Sequence, residues 1–106
     1  MKFGIFFELS VPRPFSREAE WLTYHNALEQ CRVADGLGFD HVWAVEHHFL
    51  EEYSHCSSPE VFLSAVAAQT QRIRLGHGAV VCVPEMNHPI RVAERAAALD
   101  LVSSGR

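Results

Sequence analysis

The sequence predicts an α/β fold in which parallel β-strands alternate with α-helices. Three short apolar runs, residues 3–7, 41–45 and 73–81, are rich in the β-branched and aromatic residues that favour strands. The first and third runs are almost continuously apolar, which is typical of parallel strands covered on both faces. Helical patterns separate and follow the runs. The predicted order is therefore β-α-β-α-β-α, with two right-handed crossovers.

The first helix is predicted between residues 18 and 36. Ser16 is its candidate N-cap, and Gly36 and Gly38 are suitable terminators. The side chains expected to face the sheet recur at helical spacing. They are Trp21, Tyr24, Leu28 and Cys31.

The second and third helices also have recognisable start signals. Ser58 supplies a cap, Pro59 occupies the first helical position, and Glu60 places an acid in the first turn. The third helix begins near Pro89. The stripes expected to be buried are Phe62, Ala65, Val66 and Gln69 in the second helix, and Ile90, Ala93, Ala97 and Leu101 in the third.

Composition and charge exclude several classes of protein. The chain has 106 residues, of which 48% are hydrophobic and 21% charged, as expected for a globular protein with one small domain. A net charge of −4 with scattered Lys and Arg offers no basic surface to nucleic acid and no polybasic membrane anchor. No apolar stretch approaches the ~20 residues of a membrane helix.

The N-terminus and the cysteines indicate a cytoplasmic location. The apolar run at residues 3–7 is shorter than a signal-peptide core and has no small-residue cleavage site. Cys31, Cys56 and Cys82 are odd in number and lack CxxC spacing, so we expect them to be reduced. Cys82 is expected to be an ordinary small buried residue.

Three parallel strands cannot complete a stable sheet by themselves. They leave two unpaired edges and an uncovered face. We therefore expect residues 1–106 to be part of a larger α/β fold, poorly stable and inactive when isolated. A small self-contained α/β domain is the alternative.

The densest group of reactive side chains follows the second strand. Glu46, His47 and His48 combine a carboxylate with two imidazoles, which can perform acid–base chemistry near neutral pH. Functional groups of parallel α/β folds lie where strands end. Neighbouring strand residues point to opposite faces, so at most one histidine should face a site. Alternatively, one histidine caps the sheet through a backbone hydrogen bond and the other is solvated.

A metal site is a weaker interpretation of the same segment. Its spacing does not fit the common zinc patterns, so we predict no metal here. The candidate ligands would be His47, His48, Glu51, Glu52, His55 and Cys56, with Glu51 and Glu52 more plausible as a solvated loop face.

The glycines and aromatic residues near the strands each allow more than one interpretation. Gly76-His77-Gly78 is not a dinucleotide-binding fingerprint, and its glycines indicate a bulge, a kink or close approach by a ligand. Four aromatic residues are expected mainly in the hydrophobic core, although they could instead form the wall of a pocket for a flat cofactor. They are Phe6, Phe7, Trp43 and Phe49.

Several segments, taken together, resemble the bacterial luciferase-like flavin-dependent monooxygenases. Residues 2–6 resemble the opening strand of that family. Residues 38–43, followed by Glu46-His47-His48-Phe49, resemble its second strand and two-histidine motif. Residues 73–81 resemble its third strand, and residues 88–94, 99–100 and 104–106 resemble its third helix and the end of that helix. The resemblance covers nearly the whole chain in order.

This resemblance implies a (β/α)₈ TIM barrel of roughly three times the length of this chain, of which residues 1–106 would be the N-terminal part of a single domain. It implies reduced FMN as cofactor and molecular oxygen as co-substrate, with an aldehyde or another small organic molecule as substrate. A flavin reductase that supplies reduced FMN and a homo- or heterodimeric assembly are the implied partners.

The resemblance also suggests roles for individual residues. His47 matches the family's catalytic acid–base histidine, and His48 matches a neighbour that is structural or lies at the dimer interface. Glu46 matches a buried acid near the flavin. Gly78 and Ala79 fall where the family often has a non-prolyl cis peptide under the flavin ring.

Three different functions are also compatible with the sequence. Relatives that use a deazaflavin transfer hydride without oxygen, but more often have a single histidine after the second strand. A non-catalytic accessory subunit of a luciferase-type complex would share the fold, although His47 favours a catalytic protein. A metal-dependent barrel hydrolase would need a metal for activity.

Overall fold

Three strands and three helices alternate in the computed structural model, which describes residues 1–106. In chain order they are β1 (Gly4–Phe7), α1 (Ala19–Leu37), β2 (His41–Val45), α2 (Pro59–Gln69), β3 (Arg74–Ala79) and α3 (Pro89–Val102). The predicted order is confirmed. The bounds of β2 agree with the prediction, whereas β1 and β3 are shorter than the apolar runs that predicted them. None of the helices is long and apolar enough to cross a membrane.

The strands form one sheet in the order β1-β2-β3, with both pairs parallel. Phe6 pairs with Trp43, and Trp43 pairs with Gly76, so these residues form one row across the sheet. The register shifts after Ala44, so that Val45 pairs with Ala79. Because all strands run in the same direction, their carboxyl ends lie at a single edge.

The hydrophobic core lies between one face of the sheet and the helices. Val42 and Ala44 of β2 are fully buried there, and Phe7 contacts Phe62 of α2 edge to face. On the opposite face, Phe6 is 55% exposed and Trp43 is 39% exposed. Of the four aromatic residues expected in the core, only Phe7 is therefore found there, whereas Phe6 and Trp43 line the open face and Phe49 is fully exposed.

The glycines of β3 allow aromatic rings to lie directly on the strand. A Cβ atom at Gly76 would come within 2.2 Å of the Trp43 ring, and one at Gly78 within 2.7 Å of the Phe6 ring. Neither distance is physically accessible. These two glycines therefore let the open face pack its own aromatic side chains against β3.

The buried stripes of the helices agree with the predicted ones only in part: Cys31 is buried, and Tyr24 and Leu28 pack partly buried against the core, as predicted. In α1, Trp21 is 59% exposed, and the small residues Ala27 and Ala34 are buried with Cys31. Small side chains let the helix approach the sheet closely, so close packing outweighs the pattern of large apolar residues. The helix begins at Ala19 with Glu18 as its N-cap, so the prediction of Ser16 as N-cap is wrong.

The stripe predicted for α2 is confirmed at Phe62 and Val66, whereas the stripe predicted for α3 is wrong. In α2, Leu63 and Ala67 are buried, whereas Gln69 is exposed. In α3, Leu99 is the buried residue, and Ile90 and Leu101 are exposed. Within residues 1–106, α3 packs mainly against α2 and makes few contacts with the sheet, so most of its surface is not covered.

Asp35 fixes the loop between α2 and β3. Its carboxylate accepts hydrogen bonds from the backbone N–H groups of Gln71, Arg72 and Ile73, at 2.9, 3.0 and 2.7 Å. Burial opposes the charge of this carboxylate, but these hydrogen bonds and the charge of Arg72 outweigh burial and lower its pKa. The entry into β3 therefore depends on a charged group of α1.

We predict that Asp35→Ala destabilises the intact protein by about 2–4 kcal/mol, because three backbone donors lose their acceptor. Urea denaturation measures this change. Since the folded-state pKa is lowered, the stabilisation is present above the ordinary carboxyl pKa of 3.8 and is lost as the pH falls through the folded value. Asp100→Ala, at an exposed position near the end of α3, is the control and should change the stability by less than about 0.5 kcal/mol. An equal loss of stability in the two variants would contradict the role of Asp35 in holding the loop between α2 and β3.

Candidate functional site

The carboxyl edge of the sheet collects polar side chains from the ends of β1 and β2. Glu8 follows β1 directly, and Glu46, His47 and His48 follow β2. The segment after β3 begins at Val80 on the same edge. This arrangement confirms that the parallel sheet brings the ends of the strands together.

His47 presents its imidazole at this edge beside a carboxylate. Its backbone N–H donates to the carbonyl oxygen of Cys56 at 2.9 Å. Its side chain is 37% exposed, and Nε2 lies 3.9 Å from Oε2 of Glu8. The ring of Tyr53 lies 5.6 Å away between centroids. The His47 imidazole is thus accessible from solvent and can exchange a proton with a bound molecule.

Glu46 is a buried acid that connects β2 to the segment after β3. It is 7% exposed, in agreement with the buried acid implied by the family resemblance. Its Oε1 pairs with Nε2 of His48 at 2.8 Å, and its Oε2 accepts from the backbone N–H of Val81 at 2.9 Å and from Nδ2 of Asn87 at 3.3 Å. Both oxygens are therefore occupied within the chain, and Glu46 acts directly on the position of the loop that follows β3.

The network continues from Asn87 into the helices. Arg95 donates to Oδ1 of Asn87, and its Nε lies 2.8 Å from Oε1 of Glu60. Burial lowers the pKa of the half-buried His77. The positive charge of Arg95 also lowers it, whereas the negative charge of Glu60 opposes this change.

Neither the imidazole of His47 nor that of His48 caps the sheet through a backbone hydrogen bond, so that interpretation of the two histidines is wrong.

The loop between β2 and α2 is fastened through His55. Its Nδ1 lies 2.6 Å from Oε1 of Glu20, and its Nε2 lies 2.9 Å from the carbonyl oxygen of Glu51. Both ring nitrogens face acceptors, which requires both to carry hydrogen. Hydrogen bonding to Glu20 and then to the backbone of Glu51 raises the pKa of His55, against a smaller effect of burial. Protonation of both ring nitrogens satisfies both acceptors, so His55 holds this loop on α1 most strongly when it is protonated.

The potential metal ligands of this loop have other partners. Residues 1–106 contain no group of three or more His, Cys, Asp or Glu side chains arranged to hold a metal ion. Glu51 and Glu52 are exposed and form ion pairs with Arg13. Burial raises the pKa of the Cys56 thiol to about 11. Cys82 is exposed, so its predicted burial is wrong: it follows β3 in a loop that α3 does not cover.

Comparison with known proteins identifies the family. A sequence profile for the family described as luciferase-like monooxygenase matches residues 1–106. The chain is 40% identical over 106 residues to 4-hydroxyprotoasukamycin monooxygenase of Streptomyces nodosus subsp. asukaensis, covering 100% of this chain and 27% of that protein. The chain belongs to the luciferase-like monooxygenase family.

Two further luciferase-like proteins support this membership. The oxygenase component of a flavin-dependent trigonelline monooxygenase of Acinetobacter baylyi is 31% identical, covering 100% of this chain and 28% of that protein. The crystal structure of monooxygenase RslO1 from Streptomyces bottropensis matches with a TM-score of 0.81 at 40% identity, covering 100% of this chain and 31% of that one. The chain thus spans between 27% and 31% of the length of these relatives. Its fold is that of the N-terminal β-α-β-α-β-α part of their TIM barrels.

The cis peptide implied by the luciferase-like resemblance is not at Gly78–Ala79. Within residues 1–106, the cis peptide bond is Arg13–Pro14. The pairing of β2 with β3 passes from Ala44–His77 to Val45–Ala79 with a register irregularity, which leaves Gly78 without a partner on β2. Gly78 and Ala79 are exposed at the carboxyl edge.

Two residues of this candidate site, Glu8 and Tyr53, are not predicted by the sequence. Glu8 places its Oε2 3.9 Å from Nε2 of His47. Its position directly after β1 is the one feature of the sequence that could have indicated this role. Tyr53 lies in a loop with no periodicity, and only the folded loop brings it to His47. Of the residues predicted at the site, His47 and Glu46 are neighbours at the end of β2, and Gly78 and Ala79 are at the adjacent end of β3.

We predict that His55 stabilises the loop only while it is protonated. Because the folded-state pKa is raised above 6.5, its stabilisation should be fully present below that value and be lost as the pH rises through the folded value. The difference in unfolding free energy between wild type and His55→Gln, measured by urea denaturation across this pH range, should therefore shrink as the pH rises.

Glu20→Gln should abolish most of that pH dependence, whereas Glu18→Gln should not, because Glu18 makes no side-chain contact with His55. A difference between wild type and His55→Gln that is the same at every pH would refute a charged His55.

Proposed function

We propose that this chain belongs to an FMN-dependent monooxygenase that oxidises an aldehyde or another small organic substrate with molecular oxygen. We further propose that residues 1–106 are the N-terminal part of its single barrel domain, and that His47 is its acid–base residue. The observation that carries this proposal is the position of the His47 imidazole, accessible at the carboxyl edge and next to the open face of the sheet. Family membership and the flavin dependence named for a relative support it.

The residues of this edge fit a flat cofactor. The open face carries the exposed rings of Phe6 and Trp43, and the end of β3 presents Gly78 and Ala79, which have little or no side chain. The Phe6 ring already packs against Gly78, so a planar cofactor would contact the exposed Phe6 and Trp43 rings together with the strand end at Gly78 and Ala79. We assign Gly78 and Ala79 to contact with the flavin ring, with their peptide in the trans form.

The chemistry of the side chains suggests separate roles for the flavin, His47 and Glu46. Reduced flavin supplies the electrons that activate oxygen. The imidazole of His47 can take up or release a proton through its ring nitrogens, whereas that of His48 is held by Glu46. Glu46 supports the site indirectly, because its carboxylate holds the loop after β3 in place.

A separate reductase fits this assignment as a partner. The trigonelline relative is described as an oxygenase component, which implies that another component provides its reduced flavin. We propose the same arrangement for this protein. The homo- or heterodimer implied by the family resemblance and the cytoplasmic location stay predictions.

We predict that His47→Ala in the intact protein lowers turnover with reduced FMN by about 10²-fold or more, because an acid–base group is lost. The affinity for reduced FMN should change far less, since the flavin ring is held mainly by backbone and apolar contacts. Stopped-flow kinetics and anaerobic flavin titration measure the two quantities. His25→Gln, on the exposed part of α1, is the control and should leave both unchanged.

Turnover unchanged by His47→Ala would remove His47 from the mechanism. An intact protein that binds reduced FMN but shows no turnover would instead favour the non-catalytic accessory subunit.

A further inference from the structure

Glu8 has a buried carboxylate oxygen that no protein group satisfies. Its side chain is 27% exposed, but Oε2 is shielded from solvent and has no hydrogen-bond partner. An unsatisfied buried oxygen of a charged group is costly and calls for a functional explanation. The imidazole of His47 faces this oxygen, with Nε2 3.9 Å away.

No other carboxylate lies within 4.0 Å of the His47 imidazole. The other acid near the end of β2, Glu46, is occupied by His48 and by the loop after β3. On the remaining side lies the phenol of Tyr53, whose pKa is raised first by its interaction with the Glu8 carboxylate and then by burial. Cys56, whose carbonyl oxygen accepts the backbone N–H of His47, has a thiol with a raised pKa.

The chain holds Glu8 and His47 in this relation through two backbone hydrogen bonds between their loops. The N–H of Val11 donates to the carbonyl oxygen of Glu52 at 2.9 Å, and the N–H of His55 donates to that of Leu9 at 3.0 Å. The segment after β1 and the loop after β2 are thus joined on the side of the site where the two side chains meet. Their approach is a property of the backbone, not of two mobile surface side chains.

We propose that Glu8 is a positioning residue for His47. The carboxylate accepts a hydrogen bond from Nε2–H of the imidazole, which leaves Nδ1 as the nitrogen that takes up a proton. When Nδ1 accepts a proton from a bound molecule, the resulting imidazolium keeps its Nε2–H on Glu8, and the negative carboxylate stabilises the new positive charge. No electron is transferred, and the same proton returns from Nδ1 in the reverse step.

The role of Glu8 in catalysis rests on the proposed function, but the interaction between the Glu8 carboxylate and the His47 imidazole does not. A tightening of 3.9 Å to hydrogen-bond length needs only a small side-chain movement, and such pairs commonly shorten when a site is occupied. The orientation of His47 can therefore be tested both with and without a flavin.

The test compares Glu8→Gln, Glu8→Asp, His47→Gln and the double variant Glu8→Gln/His47→Gln in the intact protein. Glu18→Gln is the matched control, because it removes the same charge from an exposed position at the start of α1. Nitrogen-15 spectra of histidine-labelled protein without flavin report which nitrogen of His47 carries hydrogen. Turnover with reduced FMN and anaerobic FMN titration give the functional readouts.

In the wild type, the His47 signals should be those of the Nε2–H tautomer. Glu8→Gln should change the proportion of tautomers and lower turnover by about tenfold or more, with FMN affinity unchanged. Glu8→Asp should restore part of the wild-type tautomer proportion and part of the turnover, and Glu18→Gln should alter neither quantity. In the His47→Gln background, Glu8→Gln should lower turnover no further. If Glu8→Gln reduces the yield of folded protein, the comparison uses Glu8→Asp, whose shorter side chain should shift the tautomer balance in the same direction but by less.

The proposal is overturned if the His47 spectrum is the same with and without the Glu8 carboxylate, or if Glu8→Gln is equally damaging in the His47→Gln background. If the intact protein neither binds FMN nor shows monooxygenase turnover, the proposed function is wrong. The nitrogen-15 spectra still decide whether Glu8 orients His47.

Discussion

Parallel pairing of β1, β2 and β3 is the constraint on which the site depends. Strands that run in one direction end at one edge, so residues separated by almost 40 positions in sequence, such as Glu8 and His47, become neighbours. The same pairing places Phe6, Trp43 and Gly76 in one row on the open face. An antiparallel β2 would send its histidines to the far end of the sheet and separate them from both neighbouring strands.

The edge is organised by hydrogen bonds that connect loops rather than by the strands alone. Glu46 ties the end of β2 to Val81 and Asn87 after β3, while His55 and Glu20 hold the loop after β2 on α1. In each connection, an ionisable side chain of one segment bonds to groups of another segment: Glu46 to the loop after β3, and Glu20 of α1 to His55. The loops of the site are thereby fixed relative to one another, which is the pre-organisation that proton transfer requires.

The strands and the candidate acid–base histidine were predictable from sequence because their signals are local. The run at 41–45 is bounded by polar residues, and Glu46-His47-His48 follows it directly. The helix faces were less predictable, because Trp21 suggests burial by its size whereas Ala27 and Ala34 are buried by close packing. Tyr53 and the partnership of Glu8 with His47 depend on how two loops fold together, and no spacing in the sequence records that contact.

The most direct test of the proposed active site is a crystal structure of the intact protein with FMN bound. We expect the flavin ring to lie across the carboxyl ends of β1, β2 and β3, against Gly78 and Ala79, with the His47 imidazole facing it. A flavin bound away from these strand ends, or a His47 side chain directed away from the ring, would contradict the assignment of this edge as the active site.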